Sequence, residues 1–282
     1  MELFENKNPK FEGWLRVVIF IIPFIFTIFF TDIISYFFAN FIFETKSESI
    51  KLLIIKFNDF IFVNILLFIF RKYIDKNSIK SMGFELQNRF KDIIIGTLIG
   101  FFVMFFSYYL LLNLGEITLL KSTFNLSEII TAILIYLFVA YVEEIVFRGY
   151  ILNNFMLSCN KFWALFWSSL LFGLLHCFNP NMDIFSFLSI ILAGYFLGIT
   201  YIFTRNLWFP IALHFSWNFF QSMVGFNVSG QDFYSCINFN IVSPNKLNGG
   251  SFGLEGSYIS TAVEFVVIGL VFWYYTIFKK KN

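Results

Sequence analysis

The chain reads as long apolar runs broken by short polar clusters. The runs fall near residues 14–43, 52–70, 92–114, 128–157, 162–178, 184–204, 207–226 and 259–278. They are continuous and lack a two-residue alternation, so membrane helices are expected and strands are not. A hydrocarbon core of roughly 30 Å takes about 20 residues at 1.5 Å each, which suits most of these runs. The pattern predicts an all-α fold: a polytopic membrane protein, a bundle of about eight transmembrane helices. The second run is the least regular, because Lys56 and Asp59 interrupt it. Polar residues near Ser158–Asn160 mark the turn of a hairpin between the fourth and fifth runs.

Composition narrows the class. Of 282 residues, 58% are hydrophobic, 13% are charged and 45 are phenylalanine, which excludes an ordinary soluble domain. A net charge of +2 gives no footprint for nucleic acid, so the expected partners are the lipid bilayer and a peptide or protein. The 3 cysteines have no CxxC spacing and are expected as free thiols. The first run lacks a small-residue cleavage site and is expected to stay as a span.

The basic residues then orient the bundle. With both termini in the cytoplasm, Lys7, Lys10, Arg16, Arg71, Lys72, Lys76, Lys80, Arg89, Lys91, Arg148, Lys161, Arg205 and Lys279–Lys281 share that side. Lys46, Lys51, Lys56, Lys121 and Lys246 take the other, with the loop 227–258. The positive-inside rule favours this arrangement. The abundance of Phe, Ile, Asn, Lys and Tyr, all with AT-rich codons, points to a bacterial cell membrane.

Polar groups inside the apolar runs carry the candidate chemistry. The fourth run holds "YVEEIVFRGY", with Glu143, Glu144 and Arg148. An ionised group at mid-membrane costs roughly 2.5–3.5 kcal/mol, so such groups should be paired or line a wet cavity. Glu144 and Arg148 are four apart and can meet on one helix face. Glu143 is turned about 100° from Glu144 and is left for another task. The two histidines, His176 in "FGLLH" and His214 in "HFSWN", also lie inside runs, and Asn218 follows His214 by one helical turn.

Depth connects these residues. Glu143 and His176 lie at nearly equal chain distances on either side of Cys159, each roughly 25 Å from the turn. His214 and Asn218 are about 12 and 18 Å into the seventh run from Asn206. If the hairpin protrudes about 10 Å from the membrane, by the same rise per residue, all four could line one cavity. Asp32 has no evident partner and reads as structural.

A carboxylate beside a neutral imidazole can take a proton from water. A second histidine and an amide can present donors to an oxyanion. Glu143, His176 and His214 could instead hold a divalent metal such as zinc. No HExxH motif is present, and a pair of membrane aspartates at one depth is lacking.

"EEIVFRG" (Glu143–Gly149), "FGLLH" (Phe172–His176) and "HFSWN" (His214–Asn218) resemble the EExxxR, FxxxH and HxxxN motifs of the CPBP family. That family comprises intramembrane proteases of the CAAX prenyl protease type 2 and bacteriocin-processing kind. "GGSFGLEGS" (Gly249–Ser257) resembles a glycine-rich segment of bacterial members. The resemblance covers roughly residues 80–280 and suggests an N-terminal two-helix segment, 1–90, before a protease core, 91–282. It implies an intramembrane endopeptidase, by convention a metalloprotease, in which Glu143 and His176 activate water. His214 and Asn218 would stabilise the oxyanion, with Glu144 and Arg148 in support. The motifs also serve a metal-free mechanism, and that version is favoured here because Asn is a poor zinc ligand. A second reading is a non-catalytic scaffold for bacteriocin self-immunity or envelope regulation. A transporter with a Glu–His relay lacks the inverted repeat that would support it.

Overall fold

The computed structural model of the protein describes residues 11–42 and 47–278. Lys7, Lys10, Lys46 and Lys279–Lys281 of the charge argument lie outside the described residues.

Each apolar run becomes a helical rod. The first is α1 (Gly13–Phe37), which ends in a π-helical turn, Phe38–Ile42. The second is α2 (Glu48–Ile69), followed by a π-helical turn, Phe70–Ile74. The third is α3 (Phe90–Asn113). The fourth is α4 (Leu126–Glu144), which continues through a π-helical stretch, Ile145–Leu152, into α5 (Asn153–Ser158). Then come α6 (Lys161–His176), α7 (Ile184–Gly198) with the short α8 (Tyr201–Thr204), α9 (Trp208–Met223) and α10 (Tyr258–Trp273). Caps fix where several begin. Asn125, Asn160, Asp183 and Ser257 accept the first free backbone N–H groups of α4, α6, α7 and α10.

The protein is a multi-pass, all-α membrane protein. Among the described residues, six rods are long and apolar enough to cross a bilayer. Their outer faces present Phe26, Phe29, Phe102 and Phe106, all more than 60% exposed, a surface that belongs against hydrocarbon. The two shorter rods differ from the sequence expectation of full spans. α6 and α9 have 16 residues each, about 24 Å, less than the roughly 30 Å core. These are the two rods that carry the histidines.

A second difference is a small antiparallel sheet of β1 (Ile117–Ser122) and β2 (Ile237–Ile241), with Ile117 opposite Ile241. The alternation in "INFNI" is the local signal for it. Continuous apolar runs elsewhere hid so short a pattern. The sheet ties the segment after α9 to the end of α3.

Packing explains the positions of α1 and α9. Phe20 of α1 stacks on Tyr150 with ring centroids 4.3 Å apart, and Phe70 meets the same phenylalanine edge-on at 5.1 Å. Below them Asp75 is shared by Arg71 at 2.7 Å and Arg16 at 3.4 Å, all buried. On the other side α3 and α9 touch through Gly96 and Gly100. A Cβ on Gly100 would lie 2.7 Å from the backbone N of Trp217, and Ser216 Oγ donates to the Gly96 carbonyl at 3.1 Å. Small residues four apart let two membrane helices bring their backbones together. This contact sets the height and rotation of α9, and hence of His214 and Asn218.

Gly100→Leu should therefore destabilise the protein by at least about 1–3 kcal/mol through overpacking. Gly269→Ala, where a Cβ meets nothing within 4 Å, should leave stability unchanged or slightly raised. Thermal unfolding in detergent would check both, and equal melting temperatures would refute the close-contact argument.

Candidate active site

Glu143 and Glu144 end α4, where the backbone passes from α-helical into π-helical turns. A π-helical stretch widens the helix and is often found at functional sites. Here Arg148 reaches in two directions. Its Nη1 donates to Glu144 Oε1 at 2.9 Å and its Nη2 to the carbonyl of Gly194 on α7 at 3.1 Å. The guanidinium also lies over the Phe172 ring, 4.7 Å from its centre. Glu144 and Arg148 are both almost wholly buried, so neither charge could stand without the other.

Glu144 Oε1 accepts a second hydrogen bond, from His214 Nδ1 at 2.8 Å. The same carboxylate oxygen thus joins α4, the π-helical stretch and α9. The i, i+4 spacing made the arginine contact legible in the sequence; the histidine contact was not.

The orientation of the imidazoles follows from their partners. His176 Nδ1 lies 2.7 Å from the carbonyl of Phe172, which can only accept, so Nδ1 carries the proton. Its Nε2 then presents a lone pair, 3.6 Å from Glu143 Oε2. His214, held through Nδ1 by a carboxylate, turns Nε2 to the same oxygen at 3.8 Å. Glu143 Oε2 takes no hydrogen bond among the described residues. These gaps exceed a direct hydrogen bond and suit a small polar molecule that touches all three. The Glu143 side chain is 26% exposed, whereas Glu144 is closed off.

These groups face a cavity of about 730 Å³. Asn218 lines it one turn beyond His214, and no hydrogen bond to its amide forms among the described residues. The six residues singled out in the sequence therefore come together, four on the cavity and Glu144 and Arg148 behind it. Asp32 also lines the cavity, from α1, with the Lys56–Asp59 pair of α2 nearby.

Two residues that sequence reasoning passed over line it as well. Glu255 sits in a 3-10 turn, Leu254–Gly256, and its Oε2 accepts from Ser229 N at 2.6 Å and Ser229 Oγ at 2.8 Å. Burial holds its carboxyl above the ordinary range, against the pull of the Ser229 donors and of the two histidines. Gly253 makes this placement possible. Its φ is +104°, and a Cβ there would lie 1.9 Å from the Asn227 carbonyl oxygen. Glu264 enters from α10. Their signals were an acid inside the glycine-rich segment and a lone acid in the last apolar run.

Metal binding can be tested on the donor set. Tetrahedral zinc, with bonds of 2.0–2.1 Å to nitrogen and 2.0–2.2 Å to oxygen, would hold its ligand atoms about 3.3–3.5 Å apart. Glu143 stands 3.6 and 3.8 Å from the two Nε2 atoms, and no group of three His, Cys, Asp or Glu among the described residues is arranged for a metal. The residues as placed do not fit such an ion.

Comparison with known proteins adds a match over part of the chain. Residues 124–220 match the family model of type II CAAX prenyl endopeptidases, Rce1-like. The resemblance is real. All three motifs fall inside the matched segment, which is narrower than the span of resemblance read from the sequence. The Rce1-like match supports an endopeptidase of the CAAX type. No curated protein and no solved structure gave a match to the chain.

Replacing Glu144 with glutamine would strip a full charge from between Arg148 and His214. Glu144→Gln is expected to lower stability by about 3–5 kcal/mol, the cost of an unpaired buried charge. Glu143→Gln, which breaks no hydrogen bond, should change it far less. Melting of the two purified variants would separate them, and similar losses would refute the structural role of Glu144.

Proposed function

We propose that the protein is an intramembrane endopeptidase that hydrolyses a peptide bond in a membrane-associated protein or peptide. Glu143 and His176 activate the water, and His214 with Asn218 stabilises the oxyanion. The convergence of Glu143 Oε2 with two imidazole Nε2 atoms, on a cavity inside a membrane bundle, carries this reading. The Rce1-like match supports it.

The chemistry follows from the groups in place. Water between Glu143 and His176 donates to both, which orients an oxygen lone pair into the cavity. As that oxygen attacks the carbonyl carbon, Glu143 takes the proton. Negative charge then gathers on the former carbonyl oxygen. The buried carboxylate of Glu144 favours a second proton on His214, whose Nε2–H can donate to that oxygen beside the Asn218 amide. Collapse breaks the carbon–nitrogen bond, and Glu143 returns its proton to the leaving amine. Neither end of the substrate is covalently linked to the enzyme at any step.

A bacterial cell membrane, supported by the Phe, Ile, Asn, Lys and Tyr content, and cytoplasmic termini, supported by the distribution of basic residues along the sequence, belong to the same proposal.

Glu143→Gln or His176→Ala should reduce processing at least about 100-fold, the usual worth of a general base. Asn218→Ala should cost about 10²–10³ in kcat. Membrane peptidomics of cells with wild-type protein or Glu143→Gln would show a precursor accumulating in the variant. Identical peptide profiles at equal protein level would overturn the protease reading in favour of the non-catalytic scaffold.

A further inference from the structure

Buried acids in this protein fall into two groups. Asp59, Asp75 and Glu144 each hold a lysine or arginine: Lys56, Arg71 and Arg148 respectively. Glu255 and Glu264, 6% and 1% exposed, form no salt bridge among the described residues. Both line the catalytic cavity. Among the described residues, Lys56 is the single lysine on that lining, Asp59 already engages it, and no arginine reaches the surface of the cavity.

Their oxygens are not otherwise satisfied. Ser229 occupies Glu255 Oε2, and Glu255 Oε1 receives no hydrogen bond among the described residues. Glu264 Oε2 is buried with no partner. Each side chain lies within electrostatic reach of the other, and Glu255 within reach of His176 and His214. A buried carboxylate without a cation is costly, and leucine in its place would serve a membrane core better. Two of them beside a reactive site, one held by a glycine-rich turn and the other by α10, call for a complement that arrives from outside. No group of three His, Cys, Asp or Glu among the described residues is arranged for a metal ion. Much of the remaining wall is apolar, with Phe24, Ile28, Phe138 and Val139 in it. An apolar peptide with one flexible cationic side chain matches both halves, since lysine lays its aliphatic stem on apolar surface and ends in three donors.

We propose that Glu255 and Glu264 form a specificity subsite that binds the lysine or arginine side chain of a substrate near its scissile bond. The inference rests on the protease reading for the meaning of "substrate", yet the subsite itself can be tested by binding alone.

The full-length protein in detergent micelles would be titrated with fluorescent peptides of one apolar sequence. A single lysine, or its uncharged isostere norleucine, is moved through the sequence position by position. At one position or two adjacent ones, lysine should bind about tenfold more tightly than norleucine, the worth of a charge-assisted hydrogen bond. In Glu255→Gln with Glu264→Gln that ratio should fall to within about twofold of one, by the same conversion. The variant is compared only as a monodisperse species, and Glu264→Gln alone, with the same shape, should lower the ratio in part. A wild-type protein that prefers lysine nowhere overturns the proposal, as does a preference that survives both substitutions. Cleavage without lysine preference would sink the subsite and keep the protease. Lysine preference without cleavage would keep the subsite and sink the protease.

Discussion

The Glu144 carboxylate is the joint on which the site depends. It is buried, so it must be matched, and it is matched twice through the same oxygen. Arg148 carries the connection on to α7 through the Gly194 carbonyl, and His214 brings in α9. The energetic logic is that of any charge in a low-dielectric interior: the cost of burial forces close geometry, and close geometry fixes neighbours. His214 cannot rotate freely while Nδ1 is held, so its Nε2 is aimed by a residue that never reaches the cavity. Glu143, one position earlier, is aimed the other way and remains available to solvent in the cavity. Adjacent glutamates thus receive opposite roles from helix rotation alone.

Around this joint the bundle uses two means of bringing backbones close. Gly96 and Gly100 let α3 press on α9, and Gly194 does the same between α7 and Ser169 of α6. Two of the helices so held, α6 and α9, belong to the rods that fall short of spanning length. Their ends lie where polar backbone is sheltered by protein, which is the condition for non-helical chain at membrane depth. The segment after α9 meets that condition through its own hydrogen bonds, from Gly230 N to the Phe252 carbonyl and from Asn227 to the Ser251 carbonyl. A cavity that holds a cluster of polar groups inside an apolar protein is the result. Function and fold therefore draw on the same economy of small residues.

Much of the architecture was legible because hydrophobic length is a one-dimensional signal. The eight runs became eight rods, and caps such as Asn160 and Ser257 stand where the runs begin. The β1–β2 pair was not legible, because pairing joins residues more than a hundred positions apart and leaves only a short alternation in each strand. The true lengths of α6 and α9 were also hidden, since apolar loop residues beyond His176 and Met223 prolong the runs without prolonging the helices.

By itself the sequence determined the membrane setting, the order of the rods and the residues that meet at fixed helical spacing: Glu144 with Arg148, Phe172 with His176. These are local facts, set by composition and by 3.6 residues per turn. Tertiary structure decided that His214 is held by Glu144, that both Nε2 atoms turn to Glu143, and that Glu255 and Glu264 share the cavity with them. Those contacts depend on how rods rotate and tilt against one another. Rotation is settled by close packing at glycines and by the pairing of buried charge, neither of which leaves a periodic trace along the chain.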